Sequence, residues 1–522
     1  MNKTFYLSLP DNRKDIVEFF FWVVIAYALF TWLSIQSHTA ITADTMWLCD
    51  AAGRLLSGQK MSERFYDPNP PLSVLLYIPP ALVTMAGWLP AYTSVFYYTL
   101  FLVLLFSYLT FCILKSAPAV DTTASMTVTG ALFVSATVMA SLSFTERDQI
   151  LGAALVPFVL SQIALTRNWP APRFALHMAL LLGAVLILLK PHHGLVPTLI
   201  LLHRLITQRR LSVCKDSDFL YLSGAVIAYM ALLFAFFKDY LTVIFPDVLI
   251  LYFSTPTLNI FIKAAAYSMV SITALLIAGI FNNRNGLVFL FLLFSLVSIV
   301  PFLAQMRGYH YHLMPALIFF WCGIALLGKE ALQKFMSPHY GMIVMTAIMS
   351  ILAFALTPTR IFFPTHEAYS DLPMTRFLNE QCPSPCTFFV LNDHIEITHQ
   401  TALYTGHSWA SRFPSFWFLA GLYNNTDISP AEFEEKREKY ARFIAEDISH
   451  YKPRVIMLGE FKINEKTTFD FVEFASVDSN FRKEWSRYAQ EDDFNMDQRV
   501  YFTGTNLAKP RPMTYQVFIR KE

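Results

Sequence analysis

Apolar stretches of about 20 residues recur along the first two thirds of the chain, the length a helix needs to cross a hydrocarbon core of about 30 Å. No other feature narrows the fold so far, because within lipid only helices and closed barrels satisfy their own backbone hydrogen bonds. Composition agrees. Of 522 residues, 55% are hydrophobic and 16% aromatic, and only 15% are charged; a soluble domain carries about a quarter. The net charge of +2 gives no footing for nucleic acid. The chain reads as a polytopic α-helical membrane protein with about 11 to 13 spans, half-spans included. Residues 16–35 lack a small-residue cleavage site and read as a first span that stays.

Lys3, Arg13 and Lys14 precede that span, and short basic loops follow at 167–173, 204–215, 282–285 and 329–334. The positive-inside rule places the N-terminus and these loops in the cytoplasm. The 38–71 loop, "KPHHG" at 190–194 and "QMRGYHYH" at 305–312 then share the outer side. One conflict remains. Three apolar segments, near 72–89, 92–114 and 124–143, separate the first outer loop from "FTERDQ" at 144–149. Three full crossings would put Glu146 and Asp148 inside, so one segment has to fall short. The Ala-, Ser-, Thr- and Val-rich 124–143 segment is expected to be the re-entrant or half-length piece. The Lys190-Pro191 break before 194–207 predicts an interrupted helix with its end at a cavity.

From about residue 358 charges become dense and no span follows. The expected division is therefore a membrane domain over 1–357, with its first outer loop at 38–71, and a soluble α/β domain over 358–522. Parity puts the latter outside. "KPRVIMLGE" (452–460) and "MTYQVFIRKE" (513–522) read as strands. "SPAEFEEKREKYARFIAEDI" reads as a helix opened by a capping box of Ser429 and Glu432. "HSWASRFPSFWFLAGL" (407–422) reads as a packed core helix or, if exposed, as a cover that helps to select a substrate. Cys382 and Cys386 either close a small disulfide in an oxidising compartment or stay as two thiols.

Candidate chemistry gathers on the outer side. Asp44 stands where the first span meets "MWLCDAAGRLL", which has the spacing of a helix lying on the membrane surface with Trp47 at headgroup level. It either caps that helix or acts as a base. Asp67 and Asn69, before Pro70-Pro71, either form a turn or meet a substrate hydroxyl. Glu146, Arg147 and Asp148 read as interfacial solvation or as two carboxylates, with Arg147 as a substrate-binding base between them, in a cavity. Two carboxylates from separate loops could deprotonate a hydroxyl and stabilise a cationic sugar carbon. Lys190, His192 and His193 sit at the proline break, and Arg307, His310 and His312 lie on the same side. Such cations suit a phosphate. The His-His and His-x-His spacings lack Cys or Glu partners, so no metal site is expected. No Walker loop, GxGxxG, HExxH or GxSxG occurs, which argues against an ATP-driven transporter.

The order of these parts resembles the GT-C glycosyltransferases. It runs from an acidic residue after span one and a surface helix to "D-x-N-P-P-L", an acidic second outer motif, a Lys at a broken helix and "R-G-Y-x-Y-H-x-x-P" before a late span. The layout is most similar to the bacterial lipid A aminoarabinose transferases and the protein O-mannosyltransferases, over roughly residues 15–357. That resemblance implies inverting transfer of a hexosyl or pentosyl group from a polyprenyl-phosphate donor to a lipid, glycan or protein acceptor. Transfer would take place on the outer face of a bacterial inner membrane, with the C-terminal domain periplasmic. It implies Asp44 as the base, "ERD" as the second acidic motif, and Lys190 and Arg307 on the donor phosphate. No cofactor is required by this chemistry, and a divalent cation such as Mg or Mn is an optional addition. The charged residue usual before the prolines in those branches is missing from "NPP". The rival readings are a flippase or transporter for a lipid-linked sugar, a surface-polysaccharide polymerase or ligase, and an anchored scaffold.

Overall fold

The computed structural model describes residues 41–355, 372–498 and 511–521 and most of 29–37, with short breaks at 141–142, 209–210, 253–257, 281–285, 383–384, 392–398, 400, 403–404 and 464–467. Nearly all of the expected first span and the basic loop at 282–285 lie outside the described residues. Packing divides the chain into two compact units. One comprises residues 1–38, 96–230 and 256–362; the other comprises 39–95, 231–255 and 363–522. The sequence-based division at 357/358 followed chain order, whereas packing groups the first outer loop and 231–255 with the C-terminal region.

Among the described residues, six helices are long and apolar enough to cross a membrane: Ala91–Lys115, Arg147–Arg167, Ser217–Phe236, Ile260–Gly279, Leu287–Gln305 and His310–Leu332. In the first unit Arg147–Arg167 is the central one, buried on every side from Arg147 to Ala164. A helix that is apolar all round belongs in such a place. Its neighbours approach closely through small residues: a Cβ on Gly152 would lie 2.9 Å from Pro315 Cα, and one on Gly183 2.5 Å from the Phe158 ring. Ala91–Lys115 instead leaves Tyr97, Phe101, Leu104 and Tyr108 exposed at helical spacing, a stripe suited to lipid.

The segment expected to fall short does so, and a second one does as well. Residues 72–89 form two short helices, Pro71–Leu75 and Ile78–Met85, broken at Tyr77. Pro79 and Pro80 have no N–H to continue the first helix, so this stretch makes no single spanning helix. Residues Thr122–Ala136 form one helix whose N-cap Asp121 accepts from Ala124 N–H. Asp121 also takes the Lys329 ammonium at 2.8 Å, which ties the start of this helix to the basic end of Met314–Leu332. At 15 residues Thr122–Ala136 is shorter than the stretch of about 20 that a crossing needs, as expected of the half-length piece.

Among the described residues of the second unit, six strands make a mixed sheet: β1 (Thr387–Leu391), β2 (Ser408–Trp409), β3 (Val455–Gly459), β4 (Tyr488–Gln490), β5 (Phe494–Gln498) and β6 (Arg511–Arg520). Their order is β2-β1-β3-β6-β4, with β5 also on β6. β2 and β3 run parallel to β1, and β6 lies antiparallel to β3 with Val455 opposite Ile519. Both expected strands are present. So is the helix, Pro430–Tyr451, whose N-cap Ser429 accepts from Glu432 N–H. Cys382 and Cys386 form a disulfide. Residues 407–422 are not one core helix. They run as β2, an irregular aromatic turn and the start of Phe418–Asn424, and the buried Trp409, Phe413 and Phe416 fill the core between sheet and helices. His407 Nδ1 accepts from Cys386 N–H, and Arg412 pairs with Glu446 and Asp447, so neither faces outward as a cover would require.

Candidate active site

In the first unit, chemistry collects at the start of the central helix. Thr145 has φ 86°, a costly backbone for a β-branched residue and one that marks functional turns. It sets Glu146 at the N-cap and Arg147 and Asp148 in the first turn, where the helix dipole favours acids. Glu146, Arg147 and Asp148 are 2%, 4% and 0% exposed, so interfacial solvation does not describe them.

Asp148 is the hub. Its Oδ2 accepts from the Lys190 ammonium at 2.7 Å, and its Oδ1 lies 3.4 Å from His193 Nε2. Lys190 is there because the helix Arg173–Ile187 ends at Leu188 and Pro191 opens a 3-10 turn, Pro191–Gly194, before Leu195–Gln208 begins. The interrupted helix expected at Lys190-Pro191 is thus present. Lys190 also donates to Gln305 Oε1 at 2.9 Å and stands 5.5 Å from the Tyr311 ring centroid. An ammonium carries three donors, and Asp148 and Gln305 use two.

The 305–312 loop completes the cluster. Met306 (φ 51°) and Gly308 (φ 67°) turn the backbone sharply, and a Cβ on Gly308 would lie 2.8 Å from the Ile260 side chain. Tyr309 and Tyr311 stack at 5.5 Å, and the buried His312 ring meets Tyr311 edge-on at 4.4 Å. The His192 ring lies tilted against that of His193, 4.7 Å between centroids. His312 Nδ1 and His192 Nε2 are buried and make no hydrogen bond among the described residues. Arg307 and His310 are half-buried in the same loop. Lys263, from Leu258–Ile280, donates to the Gly308 carbonyl at 3.1 Å.

Sequence reasoning therefore found Asp148, Lys190, His193 and His312, which the fold brings together. It passed over Gln305, Tyr311 and Lys263. A lone lysine in the apolar run "LNIFIKAAAYSMV" was a usable signal, because charges at membrane depth are costly and usually functional. Gln305 and Tyr311 carried no such signal.

The remaining candidates belong to the second unit. Asp44 is half-buried in the first turn of Ala43–Leu56, and the cap is Thr42, whose side chain accepts from Thr45 N–H. The capping alternative for Asp44 is thereby removed. Trp47 faces inward rather than lying on a surface: it is 2% exposed and its Nε1 donates to Asp67 Oδ2. Asp67 Oδ1 accepts from Asn69 N–H at 2.6 Å, an Asx-turn ahead of the prolines. Asp67, 1% exposed, thus holds the loop together, with Asn69 half-buried beside it. Among the described residues no group of three or more His, Cys, Asp or Glu could hold a metal ion.

No protein-family model and no curated protein matches this sequence. Solved structures do. The chain is similar to ArnT from Cupriavidus metallidurans in the apo state, with a TM-score of 0.50, 12% identity, and 95% of this chain and 97% of that one covered. The chain has the GT-C fold. ArnT from the same organism bound to undecaprenyl phosphate also matches, at a TM-score of 0.38 and 12% identity over 95% of this chain and 98% of that one. At such identity the GT-C likeness is one of fold. The chemistry has to come from the residues.

Proposed function

We propose that this GT-C chain is a glycosyltransferase that moves a sugar from a lipid-phosphate donor to an acceptor hydroxyl, with inversion at the sugar carbon. The observation that carries the reading is the half-buried Lys190 ammonium, oriented by Asp148 and Gln305 with one donor left over. A preoriented cation in a water-poor site stabilises developing negative charge far better than one in water. In this mechanism the acceptor oxygen forms a bond to the sugar C1 as the C1–O bond to the lipid phosphate breaks. Lys190 and Arg307 meet the charge growing on the departing phosphate, and a carboxylate takes the acceptor proton. Asp44 is assigned that role, because Asp148 is committed to Lys190 and His193. Asp148 acts by holding Lys190.

The donor is assigned to the polyprenyl phosphates. The fold supports this, and ArnT, which shares it, has a structure described as bound to undecaprenyl phosphate. The acceptor is a lipid, glycan or protein hydroxyl on the outer face. The disulfide supports that sidedness, since such bonds persist in oxidising compartments.

The test is sugar transfer in membranes supplied with a radiolabelled polyprenyl-phosphate sugar pool, comparing wild type with Asp44→Asn at equal expression. Label should reach an acceptor in wild type and fall at least 100-fold in the variant, as expected for loss of a general base. Equal transfer by the two would remove Asp44 from the mechanism. Failure of wild type with every donor offered would favour a lipid-linked-sugar flippase.

A further inference from the structure

The 231–255 segment, of which sequence reasoning left the part after 237 unassigned, holds a buried acid of the second unit. A π-turn over Tyr240–Ile244 leads into the helix Phe245–Leu251, and together they bury Tyr240, Ile244, Asp247 and Leu251 along one side. Asp247 is 3% exposed and takes four donors from two directions. Its Oδ2 accepts from the Tyr66 hydroxyl at 2.7 Å, the Tyr440 hydroxyl at 2.6 Å and the Lys439 ammonium at 2.8 Å. Its Oδ1 accepts from Lys436 at 3.2 Å.

We propose that Asp247 is a positioning residue that clamps the first outer loop, and Asp44 with it, between the 231–255 segment and the C-terminal helix Pro430–Tyr451. Its consequence for transfer rests on the function proposed above. The mechanical path is continuous. Tyr66 is bound to Asp247, and the next residue, Asp67, holds the indole of Trp47. Trp47 lies three positions after Asp44, on the same face of one helix. A second contact from the same segment grips the loop further back, where Asp239 Oδ2 accepts from Ser62 N–H at 2.8 Å.

The other side of the clamp comes from the C-terminal region. Tyr66 N–H donates to the Arg412 carbonyl at 2.6 Å. Arg54, at the end of the Asp44 helix, donates to the carbonyls of Arg64 (2.6 Å), Ser411 (2.9 Å) and Trp409 (3.1 Å). One guanidinium thus ties both ends of the loop to the C-terminal aromatic turn. A long loop needs such tethers, because a catalytic group misplaced by about 1 Å can cost about 100-fold in rate. The carboxylate of Asp247 is the part that cannot be replaced. Two lysines and two hydroxyls converge on it, so an amide there would leave Lys436 with only the more distant Glu432 carboxylate, at 3.9 Å, and would remove the carboxylate that Lys439 shares with it.

The experiment uses the full chain in lipid nanodiscs, with the variants Asp247→Asn and Tyr66→Phe. Hydrogen exchange is followed in peptides from 43–70 and from 147–167, and transfer is measured against donor concentration. In both variants, protection in 43–70 should fall at least tenfold while 147–167 is unchanged. kcat should drop at least tenfold with the donor KM within twofold, because the variants loosen the helix of the assigned base and touch no residue assigned to the donor phosphate. Tyr66→Phe keeps the ring and loses one hydroxyl, so it decides the matter if Asp247→Asn fails to fold. Unchanged protection of 43–70 in a folded variant would overturn the clamp. So would lost protection with unchanged kcat. If wild type transfers nothing, the transferase reading fails, while the exchange data still decide the clamp.

Discussion

Lys190 and Asp148 should respond unequally to removal of the partner, and the structure sets the direction. Lys190→Met strands a carboxylate that is fully buried, leaving it only His193 at 3.4 Å. Asp148→Asn strands an ammonium whose side chain keeps 12% exposure and its bond to Gln305. Breaking a buried ion pair from one side costs about 3–5 kcal/mol. Lys190→Met should sit in that range and Asp148→Asn near about 2 kcal/mol, since a retained hydrogen bond and partial hydration offset part of the loss. The double variant removes both charges and should recover to within about 1–2 kcal/mol of wild type. At about 2 °C per kcal/mol, the apparent melting temperature in detergent should fall by about 6–10 °C in Lys190→Met, and by clearly less in the other two. All three should be inactive. Stability recovered without activity separates a working cation from a merely structural pair. Equal shifts for the two single variants, or a double variant as unstable as their sum, would refute the asymmetry. A double variant that regained transfer would remove Lys190 from the site.

Three further outcomes are expected. His399 is buried against Trp47 and Trp409 at 5.0 and 5.4 Å, and burial pushes its imidazole down from 6.5 to about 4. The folded state then resists a proton that the unfolded chain accepts, so stability should decline as pH falls from about 6.5 to about 4, by up to about 3 kcal/mol; melting temperatures of His399→Phe should lack that slope. A Cβ on Gly421 would lie 2.1 Å from the Leu251 carbonyl oxygen, which is backbone and cannot swing away. Gly421→Ala should therefore cost at least about 3 kcal/mol by thermal melting, whereas Gly53→Ala, with open space around it inside a helix, should gain up to about 1 kcal/mol. On intact cells, membrane-impermeant maleimide should label the half-buried Cys386 only after reduction. It should reach the exposed Cys214 only after permeabilisation, and labelling of Cys214 from outside would reverse the proposed orientation.

By itself, the sequence determined the solvent and the cast of this protein. Apolar length required helices in lipid, and the change in composition near 358 marked a region with its own sheet, where β3, β6 and the Ser429-capped helix stand as read. Polar residues too costly to leave at membrane depth without purpose pointed to Asp148, Lys190 and His312, because such a cost is visible in one dimension. Tertiary structure decided who meets whom. That Asp121, the cap of 122–136, meets Lys329 depended on a partner far along the chain, not on summed hydropathy. Trp47 points inward because Asp67 is there to accept its N–H, a partner 20 positions away. Asp247 and Gln305 look ordinary in sequence and gain meaning only from donors far along the chain. Periodicity records what a segment buries, but a pairwise hydrogen bond between distant residues leaves no periodic trace.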